Sequence, residues 1–236
     1  MADGCAGAHG GVALRPRGLV DLRGSGDVPA TLSYPAGAVV VVSGLPGSGK
    51  STLLRRWSRA ASVVDPRVLH VAYEAVMPAC LPYAVYRPWV RWAHFRWLRK
   101  AARGGGPVLV HDCGGRPWMR RWLARSAGRQ GRELHLVVLD VGVTEALAGQ
   151  EARGRRAPRR AFARHHRGLD RLLRGVSRHG AVVDARVGIP TPDGVSEAAS
   201  VVLLDRGSRE RVASVEFVPA SAPSRTHVRG PSAEAA

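Results

Sequence analysis

Through the middle of the chain, short apolar runs of strand length alternate with stretches of helical period. Ala38–Ser43, Ser62–Asp65, Pro107–Asp112, Leu134–Asp140 and Ser200–Asp205 are compact, mainly apolar runs with a polar residue at the end, the pattern of strands covered on both faces. Between them, Leu53, Leu54, Trp57 and Ala61 form one helical face, and Val90, Ala93, Trp97 and Ala101 form another. Trp118, Met119, Trp122, Leu123 and Ser126 form a third stripe behind Pro117, and Pro88 suits the first turn of the second helix. This alternation predicts βαβ units, hence a three-layer α/β fold around a mainly parallel sheet. Val212–Val218 is a weaker candidate for a terminal edge strand.

The two ends lack either period. Residues 1–36 are rich in Gly and Arg and interrupted by Pro16, Pro29 and Pro35, so a flexible extension is expected there. Residues 219–236 are small, polar and broken by proline, and they bury too little to offset their ordering entropy, so a disordered tail is expected. One domain over 37–218 remains, without an internal repeat. No apolar run is long enough for a signal peptide or membrane anchor, and Cys5, Cys80 and Cys113 are too scattered for a disulfide framework. A cytoplasmic protein without membrane contact is the expectation.

The formal net charge of +18 points toward anionic partners, but all but two of the 36 basic residues are arginine and asparagine is absent. Compositional bias therefore accounts for part of the charge, and location is more informative than the total. Ten arginines against two acids lie between Glu151 and Arg178. Within that stretch Phe162, His166, Leu169 and Leu173 share one helical face, with Arg160, Arg164, Arg167 and Arg171 around another. Entered through Gly154 and Pro158, residues 150–173 suit an arginine-bearing lid over phosphates, or else a charged surface helix. A second basic face, Arg96, Arg99, Lys100 and Arg103, leaves nucleic-acid binding open. The six tryptophans fall on helical stripes, which favours core packing over base stacking. Adjacent His165 and His166 face different ways on a helix and do not make a metal pair.

The strongest local signal is Val39–Thr52, VVVVSGLPGSGKST, which contains G-x-x-x-x-G-K-[ST] as Gly44, Gly49, Lys50 and Ser51. An apolar strand leads into it and a helix starts within it. The segment Gly44, Leu45, Pro46, Gly47, Ser48, Gly49, Lys50, Ser51, Thr52 can turn its amide N–H groups around a phosphate, because its glycines tolerate angles that side chains forbid. The helix N-terminus adds partial positive charge. Lys50 is expected on the β- and γ-phosphates and the Ser51 hydroxyl on Mg²⁺. Asp112, closing its strand, is the second expected Mg²⁺ ligand, with helix or turn capping as its alternative role. Asp65 at another strand end is a candidate base for a hydroxyl, or a cap beside Arg67. Asp112-Cys113-Gly114-Gly115 fits D-x-x-G, but guanine recognition of the N-K-x-D type needs the asparagine this chain lacks.

Together PAGAVVVVSGLPGSGKSTLLRR, SVVD, LVHD and ALAGQEARGRRAPRRAFARH resemble P-loop kinases related to zeta toxins and polynucleotide 5′-kinases, including actinobacterial "AAA family ATPase" relatives. The resemblance spans about Pro35 to Phe217. It implies sheet order 2-3-1-4-5, an arginine lid around Arg153–Arg164, and Asp65 as the residue activating an accepting hydroxyl. Residues 71–99 match no acceptor signature, so the acceptor stays open. The expectation is a Mg²⁺- and ATP-binding enzyme that transfers phosphoryl to a hydroxyl, with Lys50, Asp65, Arg153, Arg156 and Arg160 in catalysis. An ATP-hydrolysing switch and a nucleic-acid-binding ATPase are its rivals.

Overall fold

The computed structural model describes residues 13–112, 117–154, 157–177 and 195–219. Its strands are β1 (Gly18–Asp21), β2 (Thr31–Pro35), β3 (Val39–Gly44), β4 (Ser62–Val64), β5 (Val108–His111), β6 (Leu134–Leu139), β7 (Ser200–Leu204) and β8 (Ser214–Val218). The helices are α1 (Lys50–Trp57), α2 (Pro66–Val76), α3 (Tyr83–Arg103), α4 (Pro117–Gly128), α5 (Val143–Glu151), α6 (Arg159–Ser177) and α7 (Arg206–Arg211). Six strands form one sheet in the order β1-β7-β6-β3-β5-β4, and every pairing in it is parallel.

Both faces of this sheet are covered, which is why its strands read as continuous apolar runs. Val39 and Val41 of β3 point into a core with Leu98, Leu123, Ala146 and Leu169 of α3, α4, α5 and α6. Val40 and Val42 point the other way, against Leu53, Leu54 and Trp57 of α1. That second core also takes in Leu32, Tyr34 and Val215, because β2 and β8 pair in parallel as a small separate sheet over the same face. At the edge opposite the strand ends, the buried Arg132 donates to the carbonyls of Gly37, Ala102 and Gly106, tying three loops together.

Several expectations change. Within residues 1–36, assigned to a flexible extension, β1 adds an edge strand to the main sheet and β2 recruits β8. Their few buried positions are too short a pattern to stand out among glycines and prolines. Val212–Val218 accordingly contributes β8 to the small sheet and not to an edge of the large one. Pro88 lies inside α3, which starts five residues earlier at Tyr83, directly after Pro82. Of the tryptophans, Trp57 is buried and Trp97 and Trp122 pack against the core, but Trp89, Trp92 and Trp118 are exposed. Arg96 stacks 4.7 Å above the Trp92 ring. The expected tail, from residue 220 on, lies outside the described residues. No described helix is long and apolar enough to cross a membrane.

Candidate active site

Because the large sheet is parallel, all its strands deliver their carboxyl ends to one edge, the usual place for ligands in open α/β sheets. An aspartate ends or follows each of five strands: Asp21, Asp65, Asp112, Asp140 and Asp205. Their neighbours sort them. Arg23 bridges Asp21 at 2.5 Å and Asp140 at 2.6 Å, and the hydrogen bond it donates to Asp21 leads in holding the guanidinium protonated more firmly than usual. Asp205 caps α7 through Ser208 and accepts from the Gly24 amide at 2.7 Å. Burial alone would raise its pKa, but these hydrogen bonds hold it below the ordinary carboxylate value. Asp65 and Asp112 remain, on the strands β4 and β5 to one side of β3.

The loop from β3 to α1 reaches both, with Ser43 beside Asp112 and Ser51 beside Asp65. Gly44, Gly47 and Gly49 have φ of 153°, 95° and 90°, angles that L side chains rarely adopt. Space adds to the requirement, since a Cβ on Gly47 would collide with the Ala146 carbonyl of α5. Lys50 is 3% exposed, and its amine donates to the Gly44 carbonyl at 2.8 Å and the Leu45 carbonyl at 2.6 Å. The charge therefore sits inside the loop, where phosphate oxygens could replace those carbonyls.

Three residues outside the motif brace it. Gln150 at the end of α5 donates to the Pro46 carbonyl at 3.2 Å and accepts from the Ala157 amide at 2.6 Å, linking loop and α6 approach. Arg209 of α7 donates to the Ser48 carbonyl at 2.6 Å. Arg56 of α1 reaches back to the carbonyls of Arg209, Glu210 and Val212. No sequence motif marks these residues. The only hint was the position of Gln150 at the head of the arginine cluster.

Asp65 uses both carboxylate oxygens. Oδ1 accepts from the Arg67 amide at 2.9 Å and caps α2, while Oδ2 accepts from Ser51 Oγ at 3.2 Å. Asp112 is 5% exposed, with Ser43 Oγ 3.4 Å from its Oδ2. Ser51, Asp65 and Asp112 are hard oxygen donors, the chemistry Mg²⁺ prefers. Among the described residues, no group of three or more His, Cys, Asp or Glu side chains is arranged to hold a metal. A cation here would thus complete its shell with phosphate oxygens and water, as Mg²⁺ commonly does.

Two cavities open at the strand ends, one lined by the loop and one beside Asp112. One, of about 410 Å³, lies over the β6 and β7 ends and is lined by Gly47, Gly49, Thr52, Gly149, Arg153 and Arg209, among others. The other, of about 230 Å³, lies over β4 and β5, where Asp112 and His111 meet residues of α2, α3, α4 and α6. His111 joins the two regions electrostatically. Burial, then the positive charge of Lys50, push its pKa down to about 4 against the opposing pull of Asp65, so it is neutral near pH 7.

The expected site residues thus fall into groups. Gly44 to Thr52, Asp65 and Asp112 come together, and Arg153 lines the larger cavity. Arg160 is exposed on the first turn of α6. Arg156 lies outside the described residues. The far half of α6 is fixed by Leu169, Leu172 and Val176, which are buried in the core.

Among solved structures, the PezAT chromosomal toxin–antitoxin system of Streptococcus pneumoniae is similar with TM-score 0.52 and 9% identity, over 75% of this chain and 71% of that one. A gluconokinase from Sinorhizobium meliloti 1021 reaches TM-score 0.44 and 18% identity, over 76% of this chain and 89% of that one. The tunicamycin resistance protein of Deinococcus radiodurans reaches 0.40 and 18%, over 63% and 86%. Only the first of these three is close enough to bear on the fold, and it bears on nothing further. No curated protein matches the chain. A family model described as an AAA domain matches residues 39–175, more than half of the chain, which accordingly belongs to that family as an ATP-binding P-loop enzyme.

Proposed function

We propose that the protein transfers the γ-phosphate of ATP to a hydroxyl of an acceptor seated beside Asp112, and that it does so in the cytoplasm. The carrying observation is that a cavity beside Asp112 lies apart from the one lined by the phosphate loop, since a transferase needs separate seats for donor and acceptor whereas a hydrolytic switch needs one. Counted from the loop-bearing strand, β4-β5-β3-β6-β7 reads 2-3-1-4-5, the kinase-type order, and this supports the same reading.

In such a transfer the acceptor oxygen bonds to the γ-phosphorus as the bond to the β–γ bridging oxygen breaks, and ADP departs. Lys50 exchanges its carbonyl partners for β- and γ-phosphate oxygens. Asp65 takes the hydroxyl proton through its carboxylate. Ser51 and Asp112 would hold Mg²⁺, which would offset charge on the transferring group. Arg153, Arg156 and Arg160 form the arginine lid and supply further positive charge as the segment between α5 and the anchored half of α6 closes. One observation favours exchanging the two carboxylates: Asp112 lines the acceptor cavity, whereas Asp65 contacts the Ser51 hydroxyl.

The test incubates the full chain with γ-labelled ATP, Mg²⁺ and a panel of hydroxyl metabolites, nucleotides and 5′-hydroxyl oligonucleotides. The expected result is label on one acceptor class, abolished by Lys50→Ala, with ATP affinity reduced about tenfold or more in that variant. Hydrolysis of ATP with no labelled acceptor would favour the switch.

A further inference from the structure

The cavity beside Asp112 has an unbalanced lining. Arg87 and Arg91 stand one turn apart on α3, with His94 on the same face, and His70 of α2, His111 of β5 and His165 of α6 complete a ring of imidazoles. Among the described residues, Asp112 is the only carboxylate in that lining, which there contains no Ser, Thr, Asn or Gln. Just outside it, Glu74 lies 3.9 Å from the His70 ring nitrogen and Asp65 acts on His111. Among the described residues Arg87 makes no ion pair.

A neutral polyol could use the imidazole nitrogens and Asp112 but would bring no charge to the two guanidinium groups. A carboxylate or phosphate would find two planar guanidinium forks, which match such groups two oxygens at a time. The His70 ring, edge-on to Tyr83 at 4.5 Å, is oriented by that contact. The volume of about 230 Å³ is below the usual drug-sized range of about 300–1,000 Å³, so the occupant is small.

We infer that the acceptor is a small hydroxy compound carrying an acid group, a carboxylate or a phosphate monoester, clamped by Arg87 and Arg91 in the cavity beside Asp112. This inference rests on the phosphotransferase reading above and names its substrate class.

The test fills the phosphate loop of the full-length protein with Mg²⁺ and a non-hydrolysable ATP analogue, then titrates glycerate, glycerol 3-phosphate and glycerol by calorimetry. These probes differ chiefly in the acid group. At least one acid should bind about tenfold or more tightly than glycerol, and its order against the other acid identifies the carboxylate or the phosphate as the preferred group. Arg87→Gln combined with Arg91→Gln should remove that preference, while Arg87→Lys with Arg91→Lys should retain part of it. Both positions are exposed, and a circular dichroism melt checks that each variant is folded. Glycerol binding as tightly as the acids, acid binding unchanged in the Gln pair, or no acid binding by analogue-loaded protein would each overturn the inference. A parallel assay with labelled ATP separates the two readings. Acid binding without transfer would sink the phosphotransferase and leave the anion site standing. Transfer to glycerol or to an oligonucleotide 5′-hydroxyl, with none to either acid, would sink the anion site and leave the phosphotransferase.

Discussion

Asp65 and Asp112 follow neighbouring strands, and their partners give them different expected phenotypes. Asparagine still caps a helix, so Asp65→Asn should keep α2 in place and leave ATP affinity near that of the wild type. Phosphoryl transfer should fall about a hundredfold or more, the scale of a lost general base. Asp112→Asn should instead raise the Mg²⁺ concentration needed for half-maximal rate. Steady-state kinetics across a Mg²⁺ series checks both, and the two phenotypes would swap if the carboxylates exchange roles. Arg209→Ala should weaken ATP binding about fivefold to tenfold by releasing the Ser48 carbonyl, measurable by calorimetry. Residues 44–52 were legible in the sequence because the phosphate loop is contiguous and its chemistry demands those residue types. Arg209 was not, because it reaches Ser48 from 161 positions away. Asp65 and Asp112 were legible as candidates with capping as the alternative, whereas the structural commitment of Asp21, Asp140 and Asp205 shows only through Arg23 and Ser208.

At the level of elements, β3, β5, β6 and β7 could be read because each is a continuous, mainly buried apolar run, a consequence of cover on both faces, whereas β4 at the sheet edge offers only Val63 and Val64. α2 has no buried residue, and Asp65-Pro66 at its start reads equally well as a turn or as a cap with proline at the first helical position. β1 and β2 offer even less pattern, yet Leu22, Leu32 and Tyr34 in and beside them are almost fully buried. Burying such side chains is worth about 1.5–3 kcal/mol each, against a typical total stability of about 5–15 kcal/mol. A chain beginning at residue 37 should therefore lose its cooperative thermal transition. The N-terminal α6 segment and its approach should gain hydrogen-exchange protection when an ATP analogue binds, whereas the half held by Leu169, Leu172 and Val176 should exchange slowly in both states.

For the molecule as a whole, pH acts on stability through buried histidine. His135 is packed against Tyr34 at 4.8 Å and bonded to Ser200 Oγ at 2.8 Å. Burial, with a further push from Arg17, lowers its pKa to about 3. Glu133 lies 3.4 Å from the other ring nitrogen, but near pH 7 the ring is neutral and this is not an ion pair. Above about pH 6.5 the ring is neutral folded or unfolded, so it adds no pH dependence. From there down toward pH 3 only the unfolded chain takes the proton, and stability should fall by about 1.4 kcal/mol per pH unit from this group. Urea denaturation between pH 7.5 and 5 should show a shallower slope for His135→Gln by about that amount. The partners of β1 and β2 carry a different consequence, for the order of assembly. Gly18 pairs with Ser200 and Thr31 with Ser214. During synthesis, the central βαβ units can collapse around β3 as they emerge, while two strands made near the start wait for partners made almost last. Such distant pairing slows closure and leaves sheet edges open in the meantime, so nascent chains stalled before residue 200 should be the ones that bind chaperones.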